Sequence, residues 1–164
     1  MDGMGGPGGP GGFALGGEFT VGVEEEYQLV DAATGALCSR ARRVLRAPGA
    51  AELRAELHDT MLEVGTRPCR TARALERELR RLRGAAAAAR RERARIVAAG
   101  THRFSRWEGQ RRAPGERNRR LERRYGRIAR DEHNFGMHVH VAVPPPLDRV
   151  ALLAVVRAYT PHLL

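Results

Sequence analysis

Two stretches rich in β-formers, Phe19–Val30 (FTVGVEEEYQLV) and Phe135–Val143 (FGMHVHVAV), lie near opposite ends of the described sequence, with helical-period segments between them. The order of elements reads β, possible β, α, α, β, α, without the regular strand–helix alternation of a doubly wound sheet. The arrangement points to a mixed α+β fold with an antiparallel sheet rather than a doubly wound one.

The middle of the chain supplies the helices. Leu75, Leu79, Leu82, Ala86, Ala89, Ile96 and Val97 recur at helical spacing, so Thr71–Ala99 is expected to be one helix, with Gly100 at its C′ position. Pro114 stands where a second helix begins, and its pattern continues to about Arg130. Pro144, Pro145 and Pro146 end the later strand, and Asp148 opens a helix that runs to the end of the chain. Between the first strand and the long helix, Ala32–Gly35 provides a turn. Ser39 caps a short helix that ends at Pro48 and Gly49. Ala51–Thr66 divides. Its first half has helical propensity, and its second half alternates as a strand, with Met61 and Glu63 on one parity and Leu62 and Val64 on the other.

Residues 1–17 are mostly Gly and Pro and are expected to be a disordered leader, because such a stretch buries too little apolar surface to offset backbone entropy. They lack the basic and apolar regions of a secretory signal, and no run approaches the roughly 18 apolar residues of a membrane span. The expectation is a soluble, cytoplasmic protein with no membrane partner. The net charge of +10 invites a nucleic-acid reading, but all 29 basic residues are arginine and many alternate with Glu at helical spacing. That is the pattern of a solvated helix face, without the interleaved aromatics of a base-stacking surface, and no nucleic-acid partner is expected. Cys38 and Cys69 lie far apart without metal-ligand spacing and read as reduced thiols.

Three clusters carry candidate chemistry. In Gly22–Tyr27, a strand places Glu24 and Glu26 on one face and Glu25 on the other. Two carboxylates side by side repel unless a cation sits between them, and a hard ion such as Mg²⁺ suits that pair. A solvated acidic strand end is the competing reading. In Gly136–Val141, His138 and His140 share a face, a common metal-site geometry for which Zn²⁺ competes and a plain surface histidine pair is the alternative. Glu56 and Glu63 form the third cluster and either, alone, could be a surface residue.

Taken in order, GVEEEYQLVD, MLEVGTRPCRT, GTHRFSRW and GMHVHVAV resemble the glutamate–cysteine ligase type 2 family of carboxylate–amine ligases. The resemblance runs from about Phe19 to the C-terminus. It implies a glutamine-synthetase-like antiparallel sheet backed by helices, of which residues 18–164 would be the N-terminal, incomplete part of the catalytic domain. It implies an enzyme that binds ATP and Mg²⁺ and joins a carboxylate such as glutamate to an amine such as that of cysteine, through an acyl phosphate. By motif, Glu24, Glu26, Glu63 and His138 match metal-binding positions, and Glu56 matches an acidic position less closely. It leaves room for a homodimer, and for the alternative of a truncated, inactive remnant. The chain departs from the family pattern at Met61–Leu62, Asn118, Phe135 and Pro144–Pro146.

Overall fold

The computed structural model describes residues 19–145 and 147–162. The Gly/Pro-rich leader expected over residues 1–17 lies outside the described residues. Contacts divide the chain into a unit of residues 21–140, which contains all the candidate site residues, and a second unit containing residues 141–162.

The first unit is built around one long strand, β1 (Thr20–Asp31). Its middle, Glu24 to Gln28, pairs antiparallel with β3 (Met61–Gly65), with Glu26 opposite Glu63 and Tyr27 opposite Leu62. The short strand β2 (Leu53–Ala55) pairs antiparallel with the other edge of β3. The C-terminal half of β1 pairs antiparallel with β4 (Ala94–Val97), placing Leu29 opposite Ile96. A fifth strand, β5 (Met137–Ala142), also pairs with β1, completing a five-stranded sheet. The α+β class and the antiparallel sheet backed by helices therefore stand as the sequence predicts.

Alternation along β1 divides the sheet into two differently packed faces. Tyr27 and Leu29, with Leu62 and Val64 of β3, point into a core closed by Leu82 and Ala86 of α2 (Ala72–Ala86) and by Ala41 and Val44 of α1 (Ala41–Val44). On the opposite face Val30, Met61, Leu57 and Phe135 form a smaller core covered by Leu121 of α3 (Glu116–Tyr125). Phe135 and Asn118, two of the departures from the family pattern, are absorbed here. Phe135 fills this core, and the buried Asn118 amide donates to the Ala113 carbonyl at 2.9 Å, tying the start of α3 to the loop before it.

Local signals explain most element boundaries. Thr71 caps α2 by accepting a hydrogen bond from the Ala74 N–H at 3.1 Å, and Asp148 does the same for the N–H groups of Val150 and Ala151 at α5 (Arg149–Arg157). Gly126, at a φ of 53°, separates α3 from α4 (Arg127–Asp131), dividing what the sequence predicts as one helix.

Further expectations are corrected, among them the helix expected to run from Asp148 to the end of the chain, which ends at Arg157 and is followed by a 3₁₀ turn over Thr160–His162. The helix expected over Thr71–Ala99 ends at Ala86, continues as a 3₁₀ stretch to Glu92, and turns at Arg93 (φ 52°) into strand β4. Alanine-rich sequence has the highest helix propensity, but pairing with β1 outweighs it here. The helix expected from Ser39 is shorter, with Arg40 at its N-cap. Its first turn is held from a distance, by the Asp59 carboxylate accepting from the Arg42 N–H at 3.0 Å. Finally, Ala51–Thr66 carries two strands and no helix.

No helix among the described residues is long and apolar enough to cross a membrane. Cys38 and Cys69 are both free and buried.

Candidate functional site

Alternation on β1 turns Glu24 and Glu26 to the same side, and antiparallel pairing brings Glu63 of β3 directly opposite Glu26. β5 completes the site from its own strand. The Gly136 carbonyl accepts from the Glu26 N–H at 3.0 Å, and the Gly136 N–H donates to the Glu26 carboxylate at 2.8 Å, which anchors the start of β5 against this part of β1. A Cβ at position 136 would lie 3.1 Å from Nε2 of His138 and 3.7 Å from the Glu26 carboxylate. Glycine there leaves the space in which the imidazole sits over the acid.

The result is a cavity of about 430 Å³ lined by Glu24, Glu26, Glu56, Glu63, Glu132, Arg117, Leu57, Leu121 and His138. All five residues expected to hold metal thus share one concavity. The structure adds His140, whose Nε2 lies 2.9 Å from the Glu24 carboxylate, while Nδ1 of His138 lies 3.6 Å from the same oxygen. Ligand atoms of Glu24, His138 and His140 all fall within 4.8 Å of one another. Sequence alone identified the paired histidines but gave His140 no place in the ligand set. It also gave no signal for Glu132 and Arg117, which arrive from helical segments only through tertiary packing.

Charge in the cavity is unevenly compensated. The His140 hydrogen bond, aided by His138, holds the Glu24 carboxyl below its usual range. Glu63 is pushed up instead, first by burial and then by the charges of Glu24 and Glu56. The Arg54 guanidinium, 3.5 Å away, only partly offsets this. Glu56 accepts from the Arg117 guanidinium at 3.2 Å and from the Leu57 N–H at 2.8 Å. Five glutamates therefore line one space, with Arg117 among them and Arg54 beside Glu63. Such a donor set is rich in hard oxygen and fits Mg²⁺, with one imidazole as a further ligand.

On the opposite face, Glu25 is buried and its carboxylate accepts from both the Arg83 guanidinium and the Tyr27 hydroxyl. Burial, followed by the Glu25 hydrogen bond, raises the Tyr27 phenol well above its ordinary range, so it stays protonated.

The antiparallel sheet with helices behind it is a fold with counterparts among solved structures. The crystal structure of glutamate–cysteine ligase from Francisella tularensis in complex with AMP matches with a TM-score of 0.61 at 17% identity, covering 86% of this chain and 30% of that one. A bifunctional glutathione synthetase from Pasteurella multocida matches with a TM-score of 0.53 at 20% identity, over 87% of this chain and 19% of that one. At such identities the likeness is one of fold. Sequence is more specific: residues 20–164 match the model of glutamate-cysteine ligase family 2, and the chain belongs to that family. A relative from Chloroflexus aggregans, named provisionally as glutamate–cysteine ligase 2, is 45% identical over 151 residues, covering 89% of this chain and 38% of its own length. One from Roseiflexus castenholzii with the same provisional name is 41% identical over 154 residues, covering 89% of this chain and 40% of its own length. The chain thus spans about two-fifths of these relatives.

Proposed function

We propose that this chain forms the metal- and ATP-holding face of an ATP-dependent carboxylate–amine ligase of the glutamate–cysteine type. The observation that carries the reading is the convergence of Glu24, Glu26, Glu56, Glu63 and His138 on one cavity, from β1, the β2–β3 segment and β5. Mg²⁺ bound there would offset negative charge on a phosphoryl group being transferred. The carboxylates are preorganised for that task. Glu26 is fixed by the Gly136 N–H and Glu56 by the Leu57 N–H, so binding costs little reordering of these two side chains. In the reaction proposed, a substrate carboxylate oxygen attacks the γ-phosphorus of ATP and ADP departs. The amine then attacks the acyl carbon and inorganic phosphate leaves, giving an amide. Glutamate and cysteine are the proposed substrates, and the cytoplasm the proposed location.

Glu63→Gln is the most direct test. Removing a carboxylate whose charge is opposed by its neighbours should leave the melting temperature of the metal-free chain unchanged or raise it by a few degrees. The same change should weaken Mg²⁺ binding, followed by calorimetry, by about tenfold or more. A variant that melts lower and binds Mg²⁺ as the parent does would remove Glu63 from the ligand set. Glu24, His138 and His140 by themselves form a smaller set suited to a borderline ion such as Zn²⁺. Zn²⁺ affinity that depends on His140 and is not displaced by excess Mg²⁺ would favour that reading.

A further inference from the structure

Beside the acidic cavity lies a smaller, mostly apolar one of about 240 Å³, lined by Leu57, Leu121, Tyr125, Ile128, Ala129 and Glu132. Its walls come from the segment ahead of β3, from α3 and from α4 with the residue that follows it. Leu57, Leu121 and Glu132 also line the acidic cavity, so the two spaces adjoin and Glu132 stands at their junction. The volume falls short of the roughly 300–1,000 Å³ of a whole small-molecule site. It suits one part of a ligand, an apolar side chain whose polar end reaches into the acidic cavity.

Two properties mark this pocket as a site rather than a packing gap. The first is charge. Among the described residues Glu132 is the one charged side chain lining it, and its carboxylate makes no hydrogen bond or ion pair. The acids of α3 and α4 are engaged instead, Glu116 with Arg119 and Arg123, Glu122 with Arg130, and Asp131 with Arg127. The second is anchorage. Arg112 donates to the Ala129 carbonyl at 2.6 Å, and Nε2 of the buried His58 donates to the Glu132 carbonyl at 3.0 Å. The Glu132 N–H donates to the Ile128 carbonyl at 3.1 Å, and the next residue, His133, bonds the Thr60 hydroxyl at 2.8 Å. The free carboxylate is therefore presented from a fixed backbone. Beside it Tyr125 and Ile128, 49% and 75% exposed, leave apolar surface open to water. An unpaired carboxylate next to such a surface complements a cation that carries an apolar tail.

We propose that this pocket receives the apolar side chain of the ligase's amine substrate, with Glu132 binding the ammonium group at the border of the acidic cavity. The inference rests on the ligase reading for the reaction the amine enters, but not for its binding. It narrows the amine to a primary amine with a short or branched aliphatic side chain. Anionic side chains are excluded by Glu132, and the small side chain of cysteine fills the pocket only in part.

The test is a titration of the 164-residue chain with isoamylamine, followed by NMR at neutral pH, where the amine is protonated. The parent should bind it about tenfold or more tightly than ethylamine, because more methylene groups leave water. It should prefer isoamylamine to the uncharged isoamyl alcohol by a similar factor. Glu132→Gln should abolish the preference for amine over alcohol while changing Mg²⁺ affinity by less than about threefold. Tyr125→Ser/Ile128→Ser, at two exposed positions, should weaken amine and alcohol alike by about tenfold or more. Circular dichroism verifies that each variant is folded. Isoamylamine that binds no more tightly than ethylamine, or as tightly to the double variant as to the parent, would overturn the proposal. So would Glu132→Gln weakening Mg²⁺ as much as the amine, which would place Glu132 among the metal ligands. Absence of amine binding, with a double variant that self-associates less in light scattering, would assign the pocket to contact between copies of the chain and overturn it too. Amine selectivity without Mg²⁺ binding would sink the metal reading and uphold this one, and Mg²⁺ binding without amine selectivity would do the reverse.

Discussion

Among single residues, His133 illustrates how burial fixes a protonation state. Its ring hydrogen-bonds the Thr60 hydroxyl at 2.8 Å and packs against His58 and Phe135, at ring separations of 4.6 and 5.1 Å. Burial, then the nearby His58 and His102, depress its pKa to about 4. His58 is lowered too, chiefly by burial. The folded state therefore resists protonation that the unfolded chain accepts at its ordinary pKa of about 6.5. Stability from this group is complete above that pH and is lost as the pH falls from about 6.5 towards 4. Denaturant melts at pH 7 and pH 5 should show the parent losing on the order of 2 kcal/mol. His133→Gln, which keeps a polar partner for Thr60 but cannot be protonated, should lose less over the same interval. Parallel losses in the two proteins would place the pH sensitivity elsewhere.

At the scale of elements, the start of β5 matters more than its length suggests. Gly136 joins β5 to β1 through both its N–H and its carbonyl, while a Cβ there would press on the His138 imidazole at 3.1 Å. Gly136→Ala should push the His138 imidazole away from Glu26, costing about 1 kcal/mol of stability. Mg²⁺ affinity should fall by several-fold more than that modest loss of stability implies. The histidine ring resonances, followed by NMR, would report the displacement directly: an unmoved His138 signal would mean the neighbours give way instead. The arginine-rich helices are accounted for at this scale too. Arg80 with Glu76, Arg119 and Arg123 with Glu116, and Arg127 with Asp131 form exposed pairs within their own helical segments. Each such pair contributes little to stability.

For the molecule as a whole, the unburied apolar groups set the solution behaviour. Met137, Val139 and Val141 of β5 are more than half exposed, as are Val150 (77%), Leu153 and Val155 of α5. Apolar side chains presented this densely promote association. The 164-residue chain should show a mass that rises with concentration in light scattering. Val150→Ser/Leu153→Ser should reduce that rise without lowering the melting temperature, since neither side chain is buried. A concentration-independent monomer would show that these faces are tolerated in water.

The sequence by itself determined the parts of this protein that depend on local rules. Period-two alternation set Glu24 and Glu26 on one face of β1 and paired His138 with His140, and side-chain caps at Thr71 and Asp148 marked where two helices begin. The ordered motifs carried the family. What only the tertiary structure decided was pairing across distance. Alanine-rich sequence through Glu92 favours helix locally, yet Ala94–Val97 becomes a strand because β1 offers an unpaired edge and a core for Ala94. Asp59 caps α1 from 17 residues away in sequence, a contact no local pattern encodes. The candidate site divides the same way. Its acids and histidines were legible because strand geometry fixes which side they face, whereas Glu132 and Arg117 were not. Those depend on where helices come to rest, and that is set by the packing of apolar faces rather than by the polar residues they carry.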